Sequence, residues 1–144
     1  MRILVVEDEK NLNRLIAEGI EDEGYSVDRC FNGKEALDYI SSAEYDAIVM
    51  DPPSYGRGPT GEMWKIEKNL YPLVEACVKL LSDRPCFFLL NSYTTGLAPA
   101  AMQSLLTVAL KGKNASVEAD EVGLPIQQRH IVLPCGATAR ATFA

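Results

Sequence analysis

Imidazole is almost missing from this chain: a single histidine, His130, stands among 144 residues. The four cysteines, Cys30, Cys77, Cys86 and Cys135, are widely spaced and form no Cys-x-x-Cys pair. Neither a zinc site nor a disulfide framework is therefore implied. Three of the cysteines sit in apolar runs and read as small core residues. Positive charge is also scarce, 14 Lys and Arg against 20 Asp and Glu, for a formal net charge of −6. A phosphate-backbone-binding surface needs clustered basic residues, so nucleic acid is not an expected partner. No apolar run approaches the roughly 20 residues that span a bilayer, and no N-terminal apolar segment with a cleavage site is present. These absences point away from a membrane partner and toward a cytoplasmic setting. Internal repeats, low-complexity tracts and linkers are absent as well.

What is present suffices for one α/β domain over residues 1–144, with 47% hydrophobic and 24% charged residues. Ile3 to Val6 is a continuous apolar run ending in acids, as in a strand buried on both faces of a parallel sheet. Leu12, Leu15, Ile16 and Ile20 recur at helical spacing until Gly24 ends the helix. Tyr25 to Cys30 reads as a second strand, and Asn32 with Glu35 as a capping-box-like start to a helix ending near Ser41. Ala47 to Met50 is the third strand. Pro52 to Gly61 reads as loop, and from Glu62 a long helix carries Ile66, Leu70, Leu73, Val74, Cys77, Leu80 and Leu81 on one stripe, with a kink at Pro72. Trp64 and Tyr71 are expected to pack on that helix.

Cys86 to Leu90 is a buried strand by composition. Pro99 opens a helix packed through Met102, Leu105, Leu106, Ala109 and Leu110 and closed by Gly112. Two strands are then expected, Ser116 to Val122 and His130 to Leu133, joined by Gly123-Leu124-Pro125. Glu118, Asp120 and Glu121 suit the first to a sheet edge, and the second is apolar enough to lie inside the sheet.

Two families meet in the stretch Asp46-Ala47-Ile48-Val49-Met50-Asp51-Pro52-Pro53. Arg2-Ile3-Leu4-Val5-Val6-Glu7-Asp8-Glu9, Asn32-Gly33-Lys34-Glu35-Ala36-Leu37 and Tyr45-Asp46-Ala47-Ile48-Val49-Met50-Asp51 resemble a bacterial response-regulator receiver domain. Asp51 stands where receivers place the phospho-accepting aspartate. Asp51-Pro52-Pro53-Ser54-Tyr55-Gly56 resembles the Asp-Pro-Pro-x-Tyr/Phe-Gly motif of class I S-adenosylmethionine-dependent methyltransferases, as do Gly123-Leu124-Pro125 and Leu133-Pro134-Cys135-Gly136. The chain thus reads as a chimera, receiver-like over residues 1–51 and methyltransferase-like over residues 52–144; an engineered join is the preferred reading, with a natural fusion or a corrupted reading frame as the alternatives.

The resemblances imply a three-layer αβα sandwich of the Rossmann/flavodoxin-like kind. Its sheet would be mostly parallel and six-stranded, in the order 2-1-3-4-6-5 with strand 6 antiparallel. Ligands of such sheets bind at the carboxyl ends of strands where strand order reverses, which is where Glu7, Asp8 and Asp51 would fall. In a receiver these three hold Mg²⁺ while Asp51 accepts the phosphoryl group, and Pro53 would have to offer the metal its backbone carbonyl. Ser92 or Thr94 could stand for the receiver's hydroxyl residue, but no lysine follows the fifth strand, so Asp51 reads as a vestigial acceptor and metal binding as weak. The methyltransferase's glycine-rich loop and ribose-binding acid belong to the half that is missing, and Val6-Glu7-Asp8-Glu9 puts charge and bulk in that loop's place. No catalytic residue, resident cofactor or cofactor-binding residue is expected, apart from weak Mg²⁺. Asn91, Ser92 and Tyr93 read as strand-end polar residues, and His130 as a strand-end or core residue. The expectation is a chain that is not an enzyme, with no specific partner, monomeric or adventitiously dimeric.

Overall fold

The computed structural model describes residues 1–144 apart from 8, 32, 59, 60 and 127–130, and leaves the side chains of 33, 34, 37 and 40 undescribed. The chain forms two compact units: residues 1–48 with 79–86, and residues 49–78 with 87–144.

In the first unit β1 (Arg2–Val6), α1 (Lys10–Asp22), β2 (Ser26–Cys30) and α2 (Gly33–Ile40) follow in order. β1 and β2 run parallel, in register from Arg2 opposite Ser26 to Val6 opposite Cys30. A parallel pair needs a crossover, and α1 supplies it. Gly24, at φ 83°, ends the helix as its position in the sequence predicts. The buried stripe of α1 differs from the expected one. Asn13 and Ala17 are buried, whereas Leu12, Leu15 and Ile16 are exposed. Small and amide side chains let the helix approach the strands closely, and Asn13 is held there by hydrogen bonds that the apolar stripe could not form.

The segment 79–86 docks on Tyr45 and Asp46. Tyr45 N–H donates to Leu80 O at 3.0 Å and Ser82 N–H to Tyr45 O at 3.0 Å. The Asp46 carboxylate accepts from Ser82 Oγ at 2.8 Å and from the Arg2 amide at 3.1 Å. Tyr45 is buried, with its hydroxyl donating to Asp28 at 3.1 Å, and Arg2 Nε reaches the same carboxylate at 2.6 Å.

β3 (Ala47–Met50) leads into the second unit and forms the edge of a four-stranded sheet ordered β3-β6-β8-β7, with β6 at Phe87–Ser92, β7 at Ala115–Ile126 and β8 at Ile131–Phe143. β8 is antiparallel to both neighbours, pairing Phe87 with Thr142 on one side and Ala115 with Phe143 on the other. The core of this unit joins Phe88 and Leu90 of β6, Ala139 and Ala141 of β8, and Met102 and Leu106 of α4 (Pro99–Ala109), all fully buried. Alanines at 137, 139 and 141 leave room for α4 to lie close on the sheet. In α3 (Ile66–Val78) the buried residues Ile66, Leu70, Val74 and Val78 recur every fourth position, and the helix continues through Pro72.

Four expectations are corrected. The strand orders 2-1 and 3-4-6-5 both occur, with the last strand antiparallel, but as separate ladders of two and four strands, and the larger is mixed. Residues 52–61 are not all loop: β4 (Tyr55–Arg57) and β5 (Met63–Lys65) pair antiparallel, Gly56 opposite Trp64, so Trp64 lies on a strand and α3 begins at Ile66. Gly123-Leu124-Pro125 is no turn. It lies inside β7 beside a bulge between Val122 and Gly123, where Pro125 is tolerated because the strand is an edge. Finally, Ile131, Val132 and Leu133 are exposed, because β6 reaches only as far as Ala137 and leaves that end of β8 paired to β7 alone. β7 is the sheet edge, as its acidic residues predict. Of the cysteines only Cys30 is buried; Cys77 is intermediate, and Cys86 and Cys135 are exposed.

Candidate functional site

The acidic run after β1 is largely spent on local structure. Glu9 caps α1, its carboxylate accepting from the Asn11 amide at 3.0 Å and the Leu12 amide at 2.7 Å. Those amides have no partner within the helix, which is why an acceptor at this position is stabilising. Glu7 Oε1 accepts from the Glu9 amide at 3.0 Å. Beneath them Asn13 is fully buried: its Nδ2 donates to Glu7 O at 3.1 Å and Cys30 O at 2.8 Å, and its Oδ1 accepts from Arg29 Nε at 2.7 Å. Asn13 thereby ties the carboxyl ends of both parallel strands to α1. Hydrophobic periodicity passes over such a residue, since it registers a polar side chain on the inner stripe as an interruption.

Of the expected metal set, Asp8 lies outside the described residues, and Glu7 and Asp51 belong to different units. Among the described residues no group of three or more His, Cys, Asp or Glu side chains is placed to hold a metal ion. Asp51 itself is exposed, and partial desolvation holds its carboxyl above the ordinary carboxylate pKa.

The turn after Asp51 is braced. Trp64 Nε1 donates to Pro53 O at 2.6 Å, and the Ile66 amide donates to Ser54 O at 3.1 Å. The carbonyl that a receiver-like metal would need thus already accepts a hydrogen bond from the indole, which uses one of its two lone pairs. Ser54 Oγ lies 2.7 Å from Thr94 Oγ1, joining this turn to the end of β6. Ser92 is buried and accepts the Thr94 amide at 3.1 Å, so it caps the strand end as its type predicts. Tyr93 is exposed, and His130 lies outside the described residues. Neither the brace by Trp64 nor the tie from Ser54 to Thr94 is visible in motif spacing. The first depends on β5, which the glycines and prolines of the segment conceal.

Residues 3–52 match the Response regulator receiver domain family. Over 51 residues the chain is 47% identical to the transcriptional regulatory protein DltR of Streptococcus agalactiae, a stretch that is 35% of this chain and 23% of DltR. Over 50 residues it is 42% identical to the transcriptional regulatory protein PcoR of Escherichia coli, covering 35% of this chain and 22% of PcoR. The chain thus spans under a quarter of the curated relatives it matches.

In three dimensions the chain is similar to methyltransferases. A SAM-dependent methyltransferase from Agrobacterium tumefaciens matches 96% of this chain over 48% of its own, at 20% identity and TM-score 0.75. A precorrin-6y C5,15-methyltransferase from Geobacter metallireducens matches 99% of this chain over 67% of its own, at 14% identity and TM-score 0.52. At such identities the likeness is one of fold. The expectation of a non-enzyme is corrected by this finding: solved structures similar to the chain in fold include SAM-dependent methyltransferases, which are enzymes. The receiver match and the methyltransferase neighbours together fit a receiver-plus-methyltransferase chimera, as the motifs on either side of Asp51 led us to expect.

Proposed function

We propose that the chain is an engineered recombination in which a receiver fragment takes the place of the cofactor-binding half of a methyltransferase, the whole folding as one cooperative α/β domain. One observation carries this reading. Similarity to receivers ends at residue 52, while likeness to a methyltransferase fold runs over 96% of the chain. Both parents build right-handed strand–helix–strand units and end the joining strand with apolar residues followed by Asp, so a join there keeps the local rules of each. Separate production of residues 1–51 and 52–144 tests it. Neither fragment should give a dispersed amide NMR spectrum alone, because each lacks the other's strands. A well-dispersed spectrum from either would refute it.

A second reading is supported by the state of Asp51, whose exposed carboxyl has no hydrogen-bond partner among the described residues. A free carboxylate oxygen at a strand end can attack the phosphorus of acetyl phosphate, forming an acyl phosphate on Asp51 and releasing acetate. Incubation with acetyl phosphate, with and without Mg²⁺, should add the mass of one phosphoryl group, and Asp51→Asn should abolish it. Unchanged mass under both conditions refutes this reading and leaves the first intact.

A further inference from the structure

The second unit holds a cavity lined in part by the Pro134-Cys135-Gly136 segment. It has a volume of about 480 Å³ and opens between the loop from β6 to α4 and the bulged part of the β7–β8 hairpin. That volume falls within the range of small-molecule sites. One wall is the ring of Tyr93, which is 57% exposed. Its position is set by Gly136, since a Cβ there would stand 2.8 Å from Tyr93 Cδ1 and 2.7 Å from Ser92 O. The facing wall includes Glu121. This residue pairs with buried Ala137, so it projects on the sheet face that α4 covers, beyond the first turn of that helix. Thr94, fixed by Ser54 and Ser92, and Thr95 lie between the two walls.

The chemistry of this lining selects a ligand class. The Glu121 carboxylate only accepts hydrogen bonds, whereas the Thr95 and Tyr93 hydroxyls donate and accept. The loop leading into α4 adds the backbone amides of Thr95, Gly96 and Ala98 as donors, while Pro99, at the helix start, has no N–H to offer. An anion would meet Glu121, and a cation would meet the positive end of the helix. A neutral ring bearing adjacent hydroxyls suits both ends. Two hydroxyls donate to the carboxylate oxygens, others accept from the loop, and the C–H face of the ring lies on Tyr93. We propose that this cavity binds a small cyclic polyol, a furanose or pyranose ring, through a vicinal diol on Glu121 and a ring face on Tyr93.

An amide proton–nitrogen NMR titration of the full chain with methyl ribofuranoside tests this. Saturable millimolar shifts are expected at Thr95, Gly96, Cys135 and Gly136, weakened about tenfold or more in Glu121→Gln. Tyr93→Leu should weaken binding too. The 2-deoxy sugar, which lacks the diol, should bind at least severalfold less tightly. Glu118→Gln, on the same strand but beside Arg140, should leave binding unchanged. No shift at the solubility limit of the sugar overturns the proposal. Equal affinity for the deoxy sugar, or undiminished affinity in a Glu121→Gln protein with a dispersed spectrum, overturns it as well.

Discussion

Replacing Asn13 by Ala removes three hydrogen bonds at the carboxyl ends of β1 and β2, and the structure allows the loss to be apportioned. Cys30 O keeps a second donor, the Glu7 amide at 3.2 Å, so it stays satisfied. Glu7 O loses the Asn13 amide, which reached it at 3.1 Å. Arg29 loses its acceptor at 2.7 Å but can turn to water, so its share is small. Taking about 1 kcal/mol per neutral bond, with a smaller share for Arg29 offset by the better helix propensity of alanine, the net destabilisation is about 2 kcal/mol. For a chain of this size that lowers the Tm by about 4 to 8 °C. Asn13→Asp should be at least as damaging. It keeps the contact with Arg29 but replaces the two donated bonds with a carboxylate facing two carbonyl oxygens. Urea unfolding followed by circular dichroism measures both variants. A loss below about 0.5 kcal/mol for Asn13→Ala, or an Asn13→Asp protein as stable as the parent, would refute the role assigned to this side chain.

Three further outcomes follow from the same structure. The Asp28 carboxyl is held below its ordinary pKa, chiefly by the hydrogen bond from Arg2, and Asp46 by Ser82 and then the Arg2 amide. Their stabilisation is complete above the ordinary carboxylate value and is lost as pH falls through the depressed folded values, whereas Tyr45, pushed up to about 12 by burial, loses its contribution as pH rises from the ordinary tyrosine value towards that figure. Melting curves against pH should decline on both flanks, and Asp28→Asn should flatten the acid one. Gly136→Ala should destabilise by about 1 to 3 kcal/mol, because its Cβ meets the Ser92 carbonyl and the Tyr93 ring, while Gly19→Ala, with open space around it on α1, should stabilise by about 0.5 to 1 kcal/mol. Trp64→Phe removes the donor to Pro53 O and should cost about 1 kcal/mol in urea unfolding; a neutral result would mean that the indole does not brace the Asp51 turn.

Much of the framework was legible because periodicity and punctuation agree there. The apolar run of β1, the positive-φ glycines at 24 and 112, Pro99 at the start of α4 and the spacing of Met102 and Leu106 all describe elements that form. The acidic residues of β7 announced an edge strand for a physical reason that holds in the structure. What stayed hidden depends on partners distant in sequence. The stripe of α1 runs through Asn13 and Ala17 because Arg29 and the ends of two strands meet there. Gly123 and Pro125 look like a turn until β8 is seen to continue beside them across a bulge. At the candidate site, Glu7 and Asp51 were recognised by motif, yet the engagement of Pro53 O depends on an indole that pattern reading had assigned to a helix.

The central claim is that two fragments of different ancestry make one cooperative domain. Residue-resolved hydrogen exchange in increasing urea tests it most directly, comparing the amides of Leu4 and Cys30 in the first unit with those of Phe88 and Leu90 in the second. The account predicts that the slowest amides of both groups converge on one global unfolding free energy with one denaturant slope. Two separate free energies, with β1 and β2 opening while the β6–β8–β7 sheet stays protected, would contradict it.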